Sequence, residues 1–182
     1  MTTLTQEKQK IAMKALAGSF GYTNVMQTPR VVKVVVSTGV GKITDKKKRE
    51  QIAERLARIT GQKAAPRTAK KAIATFKSRK GDVVGFQVTL RGRQMWMFLD
   101  KFIHIVLPRT RDFRGIKREA IDEMGNITIG SKEHSVFPET SDEDVRDIFG
   151  LAVTITTTAK TKDEAEALLR HLGLPLREKE QS

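Results

Sequence analysis

The first candidate for chemistry in this chain is a short glycine-rich segment, Gly39-Val-Gly41-Lys42-Ile43. A nucleotide-binding phosphate loop has a glycine five positions before its last glycine, and a serine or threonine directly after its lysine. Here those two positions are Val36 and Ile43. The segment therefore indicates a glycine turn that ends a strand, and a nucleotide-binding site is not favoured.

Groups suited to acid–base, nucleophilic or metal chemistry are sparse. The 182 residues include no cysteine, which excludes disulfides, thiolate catalysis and thiolate zinc sites. The three histidines lie at least 30 residues apart, so none has a partner four residues away on one helix face. The adjacent carboxylates Asp142, Glu143 and Asp144 lie in a polar stretch that offers nothing to raise a pKa. The sequence predicts no enzyme, no metal, no cofactor and no small-molecule substrate.

The charge distribution divides the chain into two parts. Residues 1–118 hold 27 basic and 7 acidic side chains, whereas residues 119–182 hold 7 basic and 14 acidic ones. A basic excess of this size repels itself unless a polyanion neutralises it, so a nucleic acid or an anionic membrane is the expected partner of residues 1–118. No apolar stretch resembles a signal peptide or a membrane span, which favours a soluble protein and a nucleic acid.

Basic clusters suggest how the nucleic acid is bound. Lys46-Lys-Lys-Arg49 follows the predicted cap of a helix, where the macrodipole disfavours cations, and residues 63–80 hold seven basic and no acidic side chains. Aromatic residues are only 5% of the chain, so recognition of folded RNA by its backbone and shape is favoured over base stacking. Gln87 and Thr89 would then contact ribose hydroxyls. DNA remains possible on charge alone, as do a freestanding nucleic-acid chaperone or repressor and an enzyme acting on RNA.

Apolar periodicity predicts the elements that carry these residues. Alternation or β-branched runs predict strands at 31–36, 126–130 and 151–158, and a β-hairpin with arms at 72–76 and 83–90 and a basic tip between them. Helical spacing predicts a first short helix with Ile11, Ala15 and Gly18 on one face, and helices after Asp45, over 94–106 and after Thr161. The expected fold is α+β: a mainly antiparallel sheet with helices packed on one face, in a single domain, 1–182, with protruding loops.

Several strings of residues resemble one protein family over almost the whole chain. The most specific is Leu107-Pro-Arg-Thr-Arg-Asp-Phe-Arg-Gly115. The others follow in the family's order: Gly61-Gln-Lys63, Ala69-Lys-Lys-Ala-Ile-Ala-Thr-Phe-Lys-Ser-Arg-Lys-Gly81, Val88-Thr-Leu-Arg91, Met95-Trp-Met-Phe-Leu-Asp-Lys101 and Phe137-Pro-Glu139. The chain resembles the family of bacterial ribosomal protein five of the large subunit, which binds 5S rRNA.

This resemblance implies a structural role in the large subunit of cytoplasmic ribosomes, with 5S rRNA and large-subunit rRNA as partners in the central protuberance. It also implies contacts with peptidyl-site tRNA at the hairpin tip, and with small-subunit ribosomal protein thirteen, which the acidic region suits. For 5S rRNA, the resemblance together with the basic cluster after Asp45 indicates Ser37, Lys46, Lys47, Gln62, Lys63 and Thr89. For tRNA the implied residues are Phe76, Lys77, Ser78, Arg79 and Lys80. For the bridge between subunits they are Arg109, Arg111, Arg114, Asp142, Glu143 and Asp144.

The chain departs from the family's pattern at one of these positions. Ser37 stands where the family usually has asparagine, and its short hydroxyl cannot reproduce the donor and acceptor pair of an amide. The family's usual tyrosine and glutamine are replaced by Ile127 and His134. Neither of the last two changes affects the expected fold.

Overall fold

The computed structural model describes residues 2–43, 45–76, 79–111, 113–140 and 148–177. Within these ranges it has five strands, five α-helices and a π-helical segment. In chain order these are α1 (Leu4–Phe20), β1 (Val31–Gly39), α2 (Lys46–Thr60), β2 (Ala65–Thr68), β3 (Val83–Leu90), α3 (Gly92–Lys101), the π-helical segment (Phe102–Val106), α4 (Leu107–Arg109), β4 (Ile127–Ser131), β5 (Leu151–Thr157) and α5 (Lys162–Leu172).

The strands form one sheet in the order β2-β3-β1-β5-β4, so β1 is central, as its apolar sequence predicts. Neighbouring strands run antiparallel, and the expected α+β class is confirmed. The antiparallel pairing of β1 with β5 continues past their ends, where the Arg30 amide donates to the Thr158 hydroxyl and the Thr158 amide to the Arg30 carbonyl.

Contacts within the chain cluster into two compact units. The first unit comprises Met1–Val34, Arg91–Ile129 and Thr154–Ser182, and the second comprises Val35–Leu90 and Gly130–Val153. In the first unit the apolar helix behaves as predicted, and its core side chains are buried: Met95, Phe98, Leu99, Phe102, Ile103 and Val106. The face of α5 predicted to be apolar is buried with them: Ala165, Leu168, Leu169 and Leu172.

The helix expected to stop before Pro108 continues through it to Arg109. A proline inside a regular α-helix removes one hydrogen bond and clashes with the carbonyl four residues earlier. Here the preceding turn is π-helical, and the Leu107 amide donates to the Phe102 carbonyl, five residues earlier. This wider turn explains how the helix passes through Pro108 before it ends at Thr110.

In the second unit, α2 begins and ends at the residues that the sequence indicates. The Asp45 carboxylate accepts the Lys47 amide at 2.9 Å, and Gly61 ends the helix in the left-handed conformation with φ 69°. Ile52, Leu56 and Ile59 form its buried face.

Two further expectations about elements are wrong. Helix α1 extends through Gly18 to Phe20, and it buries Ala12 and Leu16 whereas Ile11 is 53% exposed; Ala15 and Gly18 are also exposed. The first arm of the hairpin is Ala65–Thr68, not residues 72–76, which form a bridge at Ile73 and a 3₁₀ turn over Ala74–Phe76. The sequences of α1 and of Ala65–Thr68 lack a strong apolar face, so periodicity could not fix either assignment.

Candidate nucleic-acid interface

The second unit carries an open groove of about 510 Å³ on the side of its strands that points away from the core. Alternation along β1 and β3 turns Val36 and Val88 into the core and leaves Ser37 and Gln87 half-buried on the opposite side. The residues that line the groove come from all five strands and the segment before β5: Ser37, Thr38, Gly39, Arg67, Val84, Gly85, Phe86, Gln87, Ser131, Gly150, Leu151 and Ala152.

Two glycines shape the groove because a side chain at either position would crowd a backbone carbonyl of a neighbouring segment. A Cβ atom at Gly85 would lie 2.8 Å from the Thr38 carbonyl oxygen, and one at Gly150 would lie 3.2 Å from the Ser131 carbonyl oxygen. Thr38 adds a hydrogen bond from its hydroxyl to the Gly150 carbonyl, at 2.7 Å. The groove is therefore lined in part by closely packed backbone, which a ligand can approach closely.

Arg67 and Gln87 supply the main polar side chains of the groove. Arg67 is opposite Gly85 in the β2–β3 ladder, and its Nε donates to the Gln87 Oε1 at 2.6 Å. This bond leaves the terminal guanidinium nitrogens and the Gln87 amide nitrogen as donors that face solvent. Among the described residues that line the groove, Arg67 is the only charged one. Such a set suits phosphate and ribose oxygens and offers no nucleophile paired with a base.

Four of the six residues predicted to bind 5S rRNA lie in the groove, on β3 or just before β2. Ser37 lies in the groove, and Thr89 follows Gln87 on the same side of β3. Gln62 and Lys63 are exposed just before β2, whose register with β3 pairs Ala65 with Gln87. Continued by two residues, that register would place Lys63 level with Thr89.

Lys46 and Lys47 are separate from those four residues. Both are exposed in the first turn of α2, whereas Gln62 and Lys63 follow its last turn. A 15-residue helix is about 22 Å long, so the two pairs are separated by roughly that distance along the axis.

The predicted hairpin tip is only partly described. Arg79 and Lys80 are exposed, Phe76 ends the 3₁₀ turn, and Lys77 and Ser78 lie outside the described residues. Hydrogen bonds close the base of the tip: the Ala69 amide donates to the Asp82 carbonyl, and the Gly81 amide to the Ala69 carbonyl. The Arg79 amide also donates to the Asp82 carboxylate at 2.8 Å.

The predicted bridge residues are also partly described. Arg109, Arg111 and Arg114 are exposed in the first unit, and Asp142, Glu143 and Asp144 lie outside the described residues. Residues 175–177 hold the end of the segment that carries these arginines. Arg177 Nε donates to the Arg114 carbonyl at 2.9 Å, and the Ile116 amide donates to the Pro175 carbonyl at 2.8 Å.

Two groups with shifted pKa values lie in the first unit, outside the groove. Burial raises the pKa of Tyr22 to about 12, and the nearby Glu164 carboxylate adds to the shift. Burial also acts to raise the pKa of Asp122. Hydrogen bonds from Asn126 and from the Met124 amide, together with the charge of Lys162, outweigh the effect of burial. The pKa of Asp122 therefore lies below its ordinary value. Neither group lines the groove.

Other kinds of site find no support in the part of the chain that the structure describes. Its histidine, aspartate and glutamate side chains form no group of three or more that could hold a metal ion. None of its helices combines the length and the apolar character needed to cross a bilayer.

Arg67 and the two glycines are among the groove residues that the sequence did not single out as RNA contacts. Arg67 belongs to the acid-free stretch 63–80, which was the available signal. Gly85 interrupts a strand, which often marks a close approach of backbone. Gly150 directly precedes β5 and offers no comparable signal.

Comparison with known proteins identifies the class to which this fold and groove belong. Residues 24–79 match the model of the family described as ribosomal protein L5, and residues 83–176 match the model of the C-terminus of the same ribosomal family. The large ribosomal subunit protein uL5 of Magnetococcus marinus is 48% identical over 99% of this chain and 98% of its own length. The uL5 proteins of Ureaplasma urealyticum and Pelobacter propionicus are 47% and 46% identical, over 92% and 97% of this chain and 91% and 99% of their own lengths.

The class is therefore that of structural ribosomal proteins, and an enzyme is excluded. Within that class, the chain belongs to the uL5 family of the large ribosomal subunit.

Proposed function

We propose that this protein binds 5S rRNA through the groove of the second unit and helps to attach it to the large-subunit rRNA in the central protuberance of cytoplasmic ribosomes. The observation that carries the proposal is the Arg67–Gln87 pair, held at 2.6 Å beside the close-packed backbone at Gly85. The pair offers a cation for a phosphate and an amide for a ribose hydroxyl, on a surface without a base-stacking aromatic pair.

The neighbouring residues extend this surface along β3. Thr89 adds a hydroxyl on the same side of the strand, and Gln62 and Lys63 add an exposed amide and an exposed cation near its edge. Ser37 adds a second hydroxyl. Lys46 and Lys47 would contact the same RNA at the far end of α2, because an extended RNA can span the length of the helix.

Two further contacts belong to the proposal. The hairpin tip, including Phe76, Arg79 and Lys80, contacts the peptidyl-site tRNA, supported by exposed cations on a hydrogen-bonded base. The exposed arginines Arg109, Arg111 and Arg114, and the acidic segment with Asp142, Glu143 and Asp144, contact the small-subunit head and its ribosomal protein thirteen. The acidic segment suits a basic partner protein and not an RNA.

One set of variants tests the three contacts together. Gln87→Ala with Thr89→Val removes two hydrogen-bonding groups from the groove and should weaken 5S rRNA binding about tenfold. Alanine at Lys77, Arg79 and Lys80 should lower tRNA retention by purified ribosomes and change stability by less than about 0.5 kcal/mol. Lysine at Asp142 and Asp144 should weaken subunit joining. Filter binding measures the first two activities, and sedimentation measures the third.

Each variant should lose only its own activity, and Gln94→Ala, at an exposed position of α3, should lose none. The groove assignment is wrong if the variant at Gln87 and Thr89 binds 5S rRNA like the unaltered protein. If the tip variant loses 5S rRNA and retains tRNA normally, the tip belongs to the 5S surface. Equal losses of subunit joining and 5S binding would contradict the role given to the acidic segment.

A further inference from the structure

His134 is a buried polar residue that lies outside the groove and outside the contacts proposed above. It begins the 3₁₀ turn His134–Val136 of the second unit, and only 2% of its surface is exposed. Buried polar atoms lower stability unless they have hydrogen-bond partners, so the bonds of His134 indicate what the residue holds in place. Its main-chain carbonyl and its ring nitrogen Nδ1 bond to two different segments of the chain.

The His134 carbonyl holds the chain at Thr140. It accepts the Thr140 hydroxyl at 2.9 Å and the Phe137 amide at 3.1 Å. The Thr140 amide in turn donates to the Phe137 carbonyl, also at 3.1 Å. Thr140 and Phe137 are both buried, so water competes little for these bonds. Residues 134–140 therefore form two hydrogen-bonded turns that end at Thr140.

The His134 ring holds the chain at Phe149. Its Nδ1 accepts the Phe149 amide at 3.3 Å, and the two rings are stacked with their centroids 4.1 Å apart and their planes 12° from parallel. An imidazole nitrogen that accepts an amide carries no proton, so this bond requires the neutral ring with its proton on Nε2. Phe149 is buried beside the ring, two residues before β5 begins at Leu151.

Thr140 and Phe149 enclose the acidic segment in the sequence. Residues 141–148 between them include four acidic side chains and one basic side chain. Like charges in so short a segment repel one another, and this repulsion opposes any single arrangement of the segment. Because Thr140 and Phe149 are both bonded to His134, the points at which the segment leaves and rejoins the folded unit are fixed. Fixed ends lower the entropy that the segment loses when a partner binds.

We propose that His134 is the positioning residue of the acidic segment, and that it acts through the Phe149 amide to present this segment to a basic partner protein. The inference rests on the proposed function, in which the segment contacts the small-subunit head. His134 itself is buried and does not touch the partner. Its Nδ1 acceptor sets the position of Phe149 more than the ring does, because stacked rings can slide whereas a hydrogen bond fixes distance and direction.

Two substitutions separate the acceptor from the ring. His134→Phe keeps a ring that can stack on Phe149 and removes the acceptor, whereas His134→Gln removes the ring and keeps an oxygen acceptor. Hydrogen–deuterium exchange of the Phe149 amide in the free protein should be about tenfold faster in His134→Phe, and within about threefold of the original rate in His134→Gln.

The same variants are then measured in large subunits that carry each one as their only copy of the protein. His134→Phe should lower the association constant with small subunits about fivefold, and His134→Gln should restore it to within about twofold. Val88→Ala is the matched control, because Val88 is buried in β3 of the same unit and its truncation lowers stability without touching His134 or its partners. Urea unfolding of each free variant measures the loss of stability, and Val88→Ala should join subunits normally.

The proposal is overturned if subunits with His134→Phe join normally, or if His134→Gln loses as much joining as His134→Phe. Impaired joining with an unchanged exchange rate at Phe149 would also overturn it, because the effect would then not act through that bond. A loss of joining in Val88→Ala equal to that in His134→Phe would reduce the role of His134 to general stability.

Two further measurements keep this inference separate from the proposed function. Affinity for 5S rRNA should stay within about twofold in both His134 variants, and a loss in His134→Phe equal to its loss of joining would mean that His134 supports the groove at Gly150 instead. Lysine at Asp142 and Asp144 is measured in the same joining assay. Normal joining by that variant would overturn the proposed contact itself, whereas impaired joining there with normal joining by His134→Phe would overturn only the role of His134.

Discussion

Gly85 connects the folding of the second unit to the shape of its groove. Its missing side chain lets β3 lie close against the Thr38 carbonyl of β1. The same missing side chain leaves room above the strands, beside Arg67 and Gln87. A single residue type therefore serves both the sheet and the proposed RNA contact.

Replacement of Gly85 by alanine should lower both stability and RNA binding. The added Cβ would lie 2.8 Å from the Thr38 carbonyl oxygen, and separating the strands to relieve this contact should cost about 1–3 kcal/mol. Urea unfolding measures the change. Gly39→Ala is the control, because no atom lies within 4 Å of a Cβ atom there, and its stability should be unchanged or slightly higher. Equal stability of the two variants would contradict this account of Gly85.

The residues that line the groove, and their partners, were only partly predictable from the sequence. Alternation along β3 places Gln87 and Thr89 on the side opposite Val88, and the burial pattern agrees with this from Gln87 to Leu90. It does not agree in the first half of the strand, where Gly85 is buried while Val84 and Phe86, predicted on the apolar side, are only half-buried. The partner of Gln87 could not be predicted, because Arg67 lies on a strand that the apolar pattern did not reveal. An arginine in a basic stretch does not show by its sequence which neighbour it contacts.

The elements with a buried face are those that the sequence predicts well. Strands β1 and β5 and helices α2, α3 and α5 each have an apolar periodicity that matches their buried residues. Strand β2 has no such pattern, since all four of its residues are exposed at the edge of the sheet. The apolar run Ala72–Phe76 looks more like a strand, but Ile73 is 47% exposed and the chain turns there.

The predicted buried face of helix α1 was wrong for a different reason. A helix with few large apolar residues has a weakly defined buried face, and a shift by one residue rotates that face by about 100°. Ala12 and Leu16 satisfy the same four-residue spacing as Ile11 and Ala15. Contacts with α3 and α5, which the sequence of α1 does not contain, decide between the two faces.

The first turn of α2 carries cations that lower the stability of the helix, and the proposed RNA contact would account for them. Lys47 lies at the positive end of the helix macrodipole, where a cation is unfavourable. Lys47→Glu should therefore raise the free energy of unfolding by about 0.5 kcal/mol, and lower the affinity for 5S rRNA severalfold by losing a cation near the phosphates. Thermal unfolding and filter binding measure the two effects.

Lys14→Glu is the control for that substitution. It makes the same charge change at an exposed position within α1, away from either end of the helix, so it should not raise stability. If Lys47→Glu leaves the 5S affinity unchanged, or lowers it no more than Lys14→Glu does, then Lys47 does not belong to the RNA surface.

The whole molecule is electrically asymmetric along its sequence. The strongly basic residues 1–118 contain all the basic positions of the proposed 5S rRNA and tRNA contacts, and the acidic segment follows in residues 119–182. This division suits the proposal that one small protein contacts both RNA and a basic protein. Membership in the uL5 family agrees with a partnership of this kind, because a ribosomal protein functions within an RNA assembly.

The salt dependence of 5S rRNA binding tests the central claim most directly. Each phosphate contact releases a counterion, so the logarithm of the affinity should fall linearly and steeply with the logarithm of salt concentration between about 50 and 200 mM. Arg67→Ala should bind more weakly and reduce the slope by about one, because one cation in the groove no longer meets a phosphate. A 5S affinity that hardly changes with salt, or a slope that is the same with and without Arg67, would contradict the claim that this groove binds the RNA backbone.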